Sequence, residues 1–171
     1  MRTARGFTLV ELLIVISIIG ILGVLTFANF KDFSQAQILS KAITDTQTIL
    51  RQAQSNATSS TLCNNTGGLN WGVNFNSSGT GVDLICGPAD SVQKTINFTN
   101  VKVVSIKGSS CISKLNLPFK ISYSPLYGKV TFTGSDNCIA LSPTITLSIT
   151  NNKTGEQKSF NITQGGATDA Q

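Results

Sequence analysis

Histidine is absent from this chain of 171 residues, and only 12% of its residues are charged. Without an imidazole there is no Ser-His or Cys-His nucleophilic pair and no histidine-bearing zinc site. Cysteine is sparse, four residues with no Cys-x-x-Cys spacing among them, so a thiolate-held metal is poorly supplied as well. Only eight acidic residues serve the whole length. Asp83 and Asp90 fall in what reads as loop, and Asp136 stands beside Gly134 and Asn137; each is read as a turn residue and not as a catalytic carboxylate. Gly79-Thr80-Gly81 is too short for a phosphate-cradling loop. No enzyme chemistry and no cofactor are therefore expected. Proline is missing ahead of Pro88, so nothing forces a break in a helix over the first part of the chain.

Apolar residues, by contrast, are concentrated at the start. Across positions 7–30 the single formal charge is Glu11. A helix over that run would rise roughly 36 Å, enough to cross a hydrocarbon core of about 30 Å with some tilt. Arg2 and Arg5 precede it with no acid between them, which holds that end in the cytoplasm and sends the rest outward. A secretory signal has an apolar region of about 7–15 residues closed by a small-residue cleavage site; this run is longer and passes into a helical pattern without such a site. A plain single-span anchor leaves Glu11 unexplained. A carboxylate among aliphatics costs on the order of a few kcal/mol unless something neutralises it, so an acid there marks function.

The body beyond the run, about 140 residues, has room for one domain with a modest core. Cys63, Cys86, Cys111 and Cys138 all lie in it, and an even count in an exported body reads as two disulfides. Three connectivities are open, of which proximity favours the two local pairs, Cys63–Cys86 and Cys111–Cys138. Asn-x-Ser/Thr triplets begin at Asn56, Asn64, Asn76, Asn97, Asn152 and Asn161. In a body so rich in Asn, Ser and Thr they are read as a by-product of composition.

The helix is expected to continue past the apolar run to about position 56. Phe33, Leu39, Ala42, Ile43, Thr46, Ile49, Leu50, Ala53 and Ala57 recur at spacings of three and four, with Lys41, Asp45, Gln47 and Arg51 on other faces. From position 59 the pattern changes to short β-like runs: 61–63, 70–75, 95–98, 101–106, 119–123, 129–133, 139–140, 144–150 and 157–162. Several alternate strictly, as Ile145, Leu147 and Ile149 do with Thr144, Thr146, Ser148 and Thr150. Asn151 to Gly155 reads as a hairpin loop, and 165–171 as a loose tail. Trp71 and Tyr127 are expected as core or edge aromatics. Lys94, Lys102, Lys107, Lys114 and Lys120, with Phe98 and Phe119 interleaved, are read as solvated strand faces, nucleic-acid contact being the rival. A helix with one stripe to cover, followed by antiparallel strands, predicts an α+β fold in which a mainly antiparallel sheet packs on the distal half of a long N-terminal helix.

The stretch Arg5-Gly6-Phe7-Thr8-Leu9-Val10-Glu11-Leu12-Leu13-Ile14-Val15 resembles the class III signal of type IV pilins and type II secretion pseudopilins. That resemblance implies a leader, 1–6, cut by a prepilin peptidase after Gly6, and N-methylation of Phe7. It implies a hydrophobic membrane and assembly helix over 7–30, its amphipathic continuation over 31–58, a β-rich head over 59–164 and a flexible tail over 165–171. It also implies insertion in inner-membrane lipid with the head outside the cytoplasm, then incorporation into a filament of other pilin or pseudopilin subunits. On this reading the Phe7 amine and the Glu11 carboxylate of a neighbour satisfy two charges that are each costly alone, and fix the axial register. Leader removal would take Arg2 and Arg5 and leave 11 basic against 8 acidic side chains, a net +3 too mild to argue for nucleic acid.

The body is similar to GspH/FimT-type minor pilins at Ala53 to Ala57, Thr61-Leu62-Cys63, Trp71 to Phe75, Ile121 to Lys129 and Thr144 to Thr163. This likeness supports the Cys63–Cys86 pair. Two departures stand out: the last stretch, from Asn161, has no arginine of the kind that DNA-binding members carry, and Ala28 stands near the helix proline of many major pilins. The first weakens a DNA-uptake role, and the second favours a minor pilin or pseudopilin; the alternatives are a membrane-anchored binding module for DNA uptake or surface adhesion, or a major pilin.

Overall fold

The computed structural model describes residues 8–111, 117–134, 142–165 and 168–170, the side chains at 25–32 and 168–170 excepted. One helix, α1 (Leu9–Thr58), runs unbroken through its 50 residues. Nine strands follow among the described residues: β1 (Trp71–Phe75), β2 (Gly81–Cys86), β3 (Ser91–Asn97), β4 (Val101–Gly108), β5 (Phe119–Tyr123), β6 (Val130–Thr133), β7 (Thr144–Asn151), β8 (Gln157–Thr163) and β9 (Thr168–Ala170). They form two antiparallel sheets instead of the single one expected, in the orders β3-β2-β1-β5-β6 and β4-β7-β8-β9. Backbone bonds link the sheets where the Val103 amide donates to the Gly79 carbonyl at 2.9 Å. Gly79 sits at φ +71, and a side chain there would lie 2.5 Å from the Val103 oxygen, so close approach requires a glycine at this turn.

The alternating strands point one row of side chains at the helix. Val73 lies between Leu84 and Ile121, and Phe75 between Val82 and Phe119. The Phe119 ring stands 6.2 Å from Phe75 and 6.3 Å from Phe132. From the second sheet come Ile145, Leu147, Ile149, Phe160 and Ile162, all fully buried. Against them the helix presents Leu39, Ala42, Ile43, Thr46, Ile49, Leu50, Ala53 and Ala57. Thr46 is harmless in that company because its hydroxyl donates to the Ala42 carbonyl at 2.7 Å. Phe33, expected in the same stripe, is exposed, because the head does not reach that far down the helix.

The lower edge of the head is held to the helix by polar contacts. Asn151, fully buried at the end of β7, donates through Nδ2 to the Gln35 backbone carbonyl at 3.0 Å and to its Oε1 at 3.3 Å. Its Oδ1 accepts from the amides of Lys153 at 2.8 Å and Thr154 at 3.3 Å. Lys158 Nζ donates to Ser40 Oγ at 3.1 Å nearby. At the upper end, Trp71 Nε1 donates to the Thr61 carbonyl at 3.2 Å, pinning β1 to the segment that leaves the helix.

Several expectations are corrected. Asp83 lies on β2, not in a loop; its carboxylate accepts from Thr95 Oγ1 at 2.6 Å across to β3. The tail contributes β9, paired with β8, so it is not wholly loose. The run 61–63 makes only an isolated bridge, Cys63 to Thr66. Tyr127 is neither core nor edge but projects into solvent. The run 139–140 lies outside the described residues.

Candidate functional site

The N-terminal end of α1 is built by a cap. Thr8 takes an extended backbone, φ −80 and ψ 150, and its Oγ1 accepts from the Glu11 amide at 3.2 Å. The Thr8 carbonyl accepts from the Leu12 amide at 3.2 Å, which closes the first turn. Thr8 and Glu11 thus stand at the spacing of a capping box, and Glu11 lies in the turn where the helix dipole favours a negative charge. Sequence reasoning missed Thr8, although a Thr three residues ahead of a Glu at the head of an apolar run is a legible signal. Glu11 is exposed and makes no ion pair with any described residue. Gly6 and Phe7, the expected cleavage and methylation residues, lie outside the described residues.

Just beyond the cap, over 9–24, the helix is apolar on every side and its aliphatic side chains are exposed. Exposure of its aliphatic side chains runs from 45% at Val15 to 78% at Leu9. Apolar surface this continuous marks a place that another molecule covers. Ser17, the polar interruption, turns its hydroxyl back to the Leu13 carbonyl at 2.8 Å and so asks for no outside partner. A shallow hollow of about 420 Å³ lies along Ile16, Ser17, Gly20, Ile21 and Val24. Among the described residues no helical stretch is long and apolar enough to cross a membrane; the side chains that extend the run, at 25–32, are not part of that description.

In the head, a disulfide joins Cys63 to Cys86, with Cα atoms 5.9 Å apart, tying the segment after the helix to the end of β2. Cys111 is disulfide-bonded too. Cys138, its expected partner, lies outside the described residues. The basic stretch does not form one face. Lys94 is on β3 of the first sheet, whereas Lys102 and Lys107 are on β4 of the second. Lys120 is engaged by Asp90 at 2.7 Å, Phe119 is buried in the core, and Lys114 lies outside the described residues. No cluster of three or more metal-ligating residues occurs among the described residues. One buried polar atom there lacks a partner, the Tyr123 hydroxyl, and burial pushes that phenol's pKa up.

Residues 1–27 match the family model of the prokaryotic N-terminal methylation motif. No curated protein and no solved structure matches the chain. The matched residues contain Arg2, Arg5, Gly6, Phe7, the Thr8 cap, Glu11 and the start of the apolar run. The chain thus carries a class III prepilin signal, which supports a place in the type IV pilin and pseudopilin family.

Proposed function

We propose, from the premise that this chain bears a prepilin methylation signal, that it is a structural subunit of a type IV pilus or type II secretion pseudopilus. One observation carries the reading: the matched segment holds the capped start of a long helix whose aliphatic side chains, from Leu9 to Val24, are exposed among the described residues. The peptidase cuts after Gly6 and methylates Phe7, and the helix holds the subunit in the inner membrane with the head outside the cytoplasm. Neighbouring subunits then replace lipid around the helix, and each Phe7 amine meets a neighbour's Glu11. In a low-dielectric bundle neither charge is tolerable alone, so the pair selects one register more than it adds stability. The role is structural, with no reaction to catalyse.

The likeness of the body to GspH/FimT-type subunits supports a minor-pilin or pseudopilin place. A repeating, major-subunit place is the second reading. A DNA-binding head draws little support, since the lysines are split between sheets and one is paired. Processing is the direct test. Gly6→Val should leave a precursor six residues longer in the membrane, because a side chain at the cut blocks close approach of the backbone to the peptidase. Intact-mass analysis that found the variant cut normally would overturn the assignment.

A further inference from the structure

We propose that Thr8 is a positioning residue for removal of the leader, a role that rests on the processing reading above and names the group that prepares the Gly6–Phe7 bond. An α-helical amide donates to the carbonyl four residues back. In α1 the first such bond runs from the Leu12 amide to the Thr8 carbonyl at 3.2 Å. The amide before it, on Glu11, turns aside to Thr8 Oγ1, also at 3.2 Å. Thr8 itself is extended, at φ −80 and ψ 150, so the helix proper starts at Leu9. One hydroxyl thus decides how far toward the leader the helix runs.

Two carbonyls ahead of the cap are at stake. A helix longer by one residue would take the Glu11 amide to the Phe7 carbonyl, and one longer by two would take the Val10 amide to the Gly6 carbonyl. The Gly6 carbonyl is the group that cleavage attacks. Water adds to its carbon, the bond to the Phe7 nitrogen breaks, and Gly6 is left with a carboxylate while Phe7 takes the proton as an amine. A carbonyl bonded inside a helix is screened from that attack, so the segment would have to open before it could be cut. Because a helix grows residue by residue, holding the Glu11 amide on Thr8 keeps the Gly6 carbonyl out of the helix as well. The cap uses only the backbone of Glu11, and its carboxylate stays available to a neighbour's amine.

The sequence makes such a stop necessary. Met1, Arg2, Ala4 and Arg5 favour helix, no proline precedes Leu9, and Gly6 is the only strong opponent. The surroundings add weight. Leu9, Val10, Leu12 and Leu13, at the head of the helix, are exposed aliphatics of the kind that lipid covers. Where water is scarce, an amide that lacks a side-chain acceptor takes the next backbone carbonyl. Without the Thr8 hydroxyl, the Glu11 amide would pass to Phe7 and the helix would grow toward the cut.

The test follows cleavage of the full chain by purified prepilin peptidase in detergent, with intact mass reporting the loss of residues 1–6. Thr8→Val keeps the size and the branched Cβ of threonine but has no acceptor. Its KM should rise roughly fivefold, the ratio expected from loss of an N-cap, while kcat stays within about twofold, because a smaller competent fraction weakens apparent binding and leaves the chemical step alone. Thr8→Asn, which caps with a side chain of different shape, should keep the unsubstituted KM. Adding Leu9→Pro to Thr8→Val should restore that KM without any hydroxyl, since proline at the first helical position holds the residue before it extended. Failure of either to give it would mean that the peptidase reads the threonine side chain itself, and would overturn the proposal. Ser17→Ala removes a hydroxyl that is bonded within the helix and should be cut normally. If the unsubstituted chain is not cut after Gly6, the processing reading fails. If it is cut and Thr8→Val shows the same KM, or a fall in kcat instead, the role of the cap alone is refuted.

Discussion

Replacing Asn151 by alanine should loosen the head from the helix at its lower edge. Four hydrogen bonds converge on this side chain, two donated to Gln35 and two accepted from the Lys153 and Thr154 amides. A typical intramolecular hydrogen bond contributes about 0.5–1.5 kcal/mol net. The two amides sit in an exposed turn and recover water when the side chain is lost, which discounts their share. The contacts to Gln35 lie under a fully buried residue and are not so easily replaced. A loss of about 2 kcal/mol follows, equivalent to roughly 4–8 °C in melting temperature for a domain of this size. Asn151→Asp should be worse than alanine, because a carboxylate cannot donate to the Gln35 carbonyl and would face it while buried. Thermal unfolding of the full chain in detergent, followed by circular dichroism, measures both. Hydrogen exchange should localise the change to the β7–β8 turn and the helix around Gln35. An alanine variant that melts within about 1 °C of the unsubstituted protein would show that the clamp is not what seats the helix.

One further substitution and one further bond are open to measurement. Tyr123→Phe removes a buried hydroxyl with no partner among the described residues and should be neutral or stabilise by about 1 kcal/mol. Because burial raises this phenol's pKa, its contribution is fully present below the ordinary tyrosine value of about 10 and is lost as pH rises through the higher folded value, so the phenylalanine variant should resist alkali better. A destabilised Tyr123→Phe would mean that the hydroxyl has a partner after all. Non-reducing peptide mapping should recover Cys111 joined to Cys138 beside the Cys63–Cys86 bond, and any other partner for Cys111 would refute the local pairing.

The long helix was legible because unbroken periodicity and the absence of proline leave no alternative; it was expected over 7–56 and is observed as Leu9–Thr58. Strands with strict alternation, such as β6 and β7, were equally plain. Gly81 to Cys86 was passed over because two glycine turns flank it and Asp83 sits in its middle, yet Val82 and Leu84 alternate inward while Asp83 is held by Thr95 on the outer face. β3 was caught only at its end, since an edge strand exposed on both faces carries no burial pattern to read. β9 pairs through its backbone, which leaves no signature in side-chain type. Alternation fixes which side of a strand is buried but not which strands are neighbours, so the division into two sheets was not legible. At the candidate site Glu11 was conspicuous as a lone charge, whereas Thr8 was hidden among residues read only for their place in the signal. The exposure of Leu126 and Tyr127 was not legible, because such residues look like ordinary core residues until the fold turns them outward.

The measurement that bears most directly on the central claim is filament recovery of Glu11 variants. Glu11→Val removes a charge from an apolar helix, so insertion in the membrane and formation of the Cys63–Cys86 bond should be normal. Glu11→Gln keeps size and polarity without charge and should behave as valine does if the partner is a neighbour's amine. The quantity to measure is the fraction of subunit found with sheared filaments relative to the membrane-bound total. A sharp fall for both variants, with normal membrane insertion, is the predicted result; recovery of Glu11→Val equal to that of the unsubstituted chain would contradict the account.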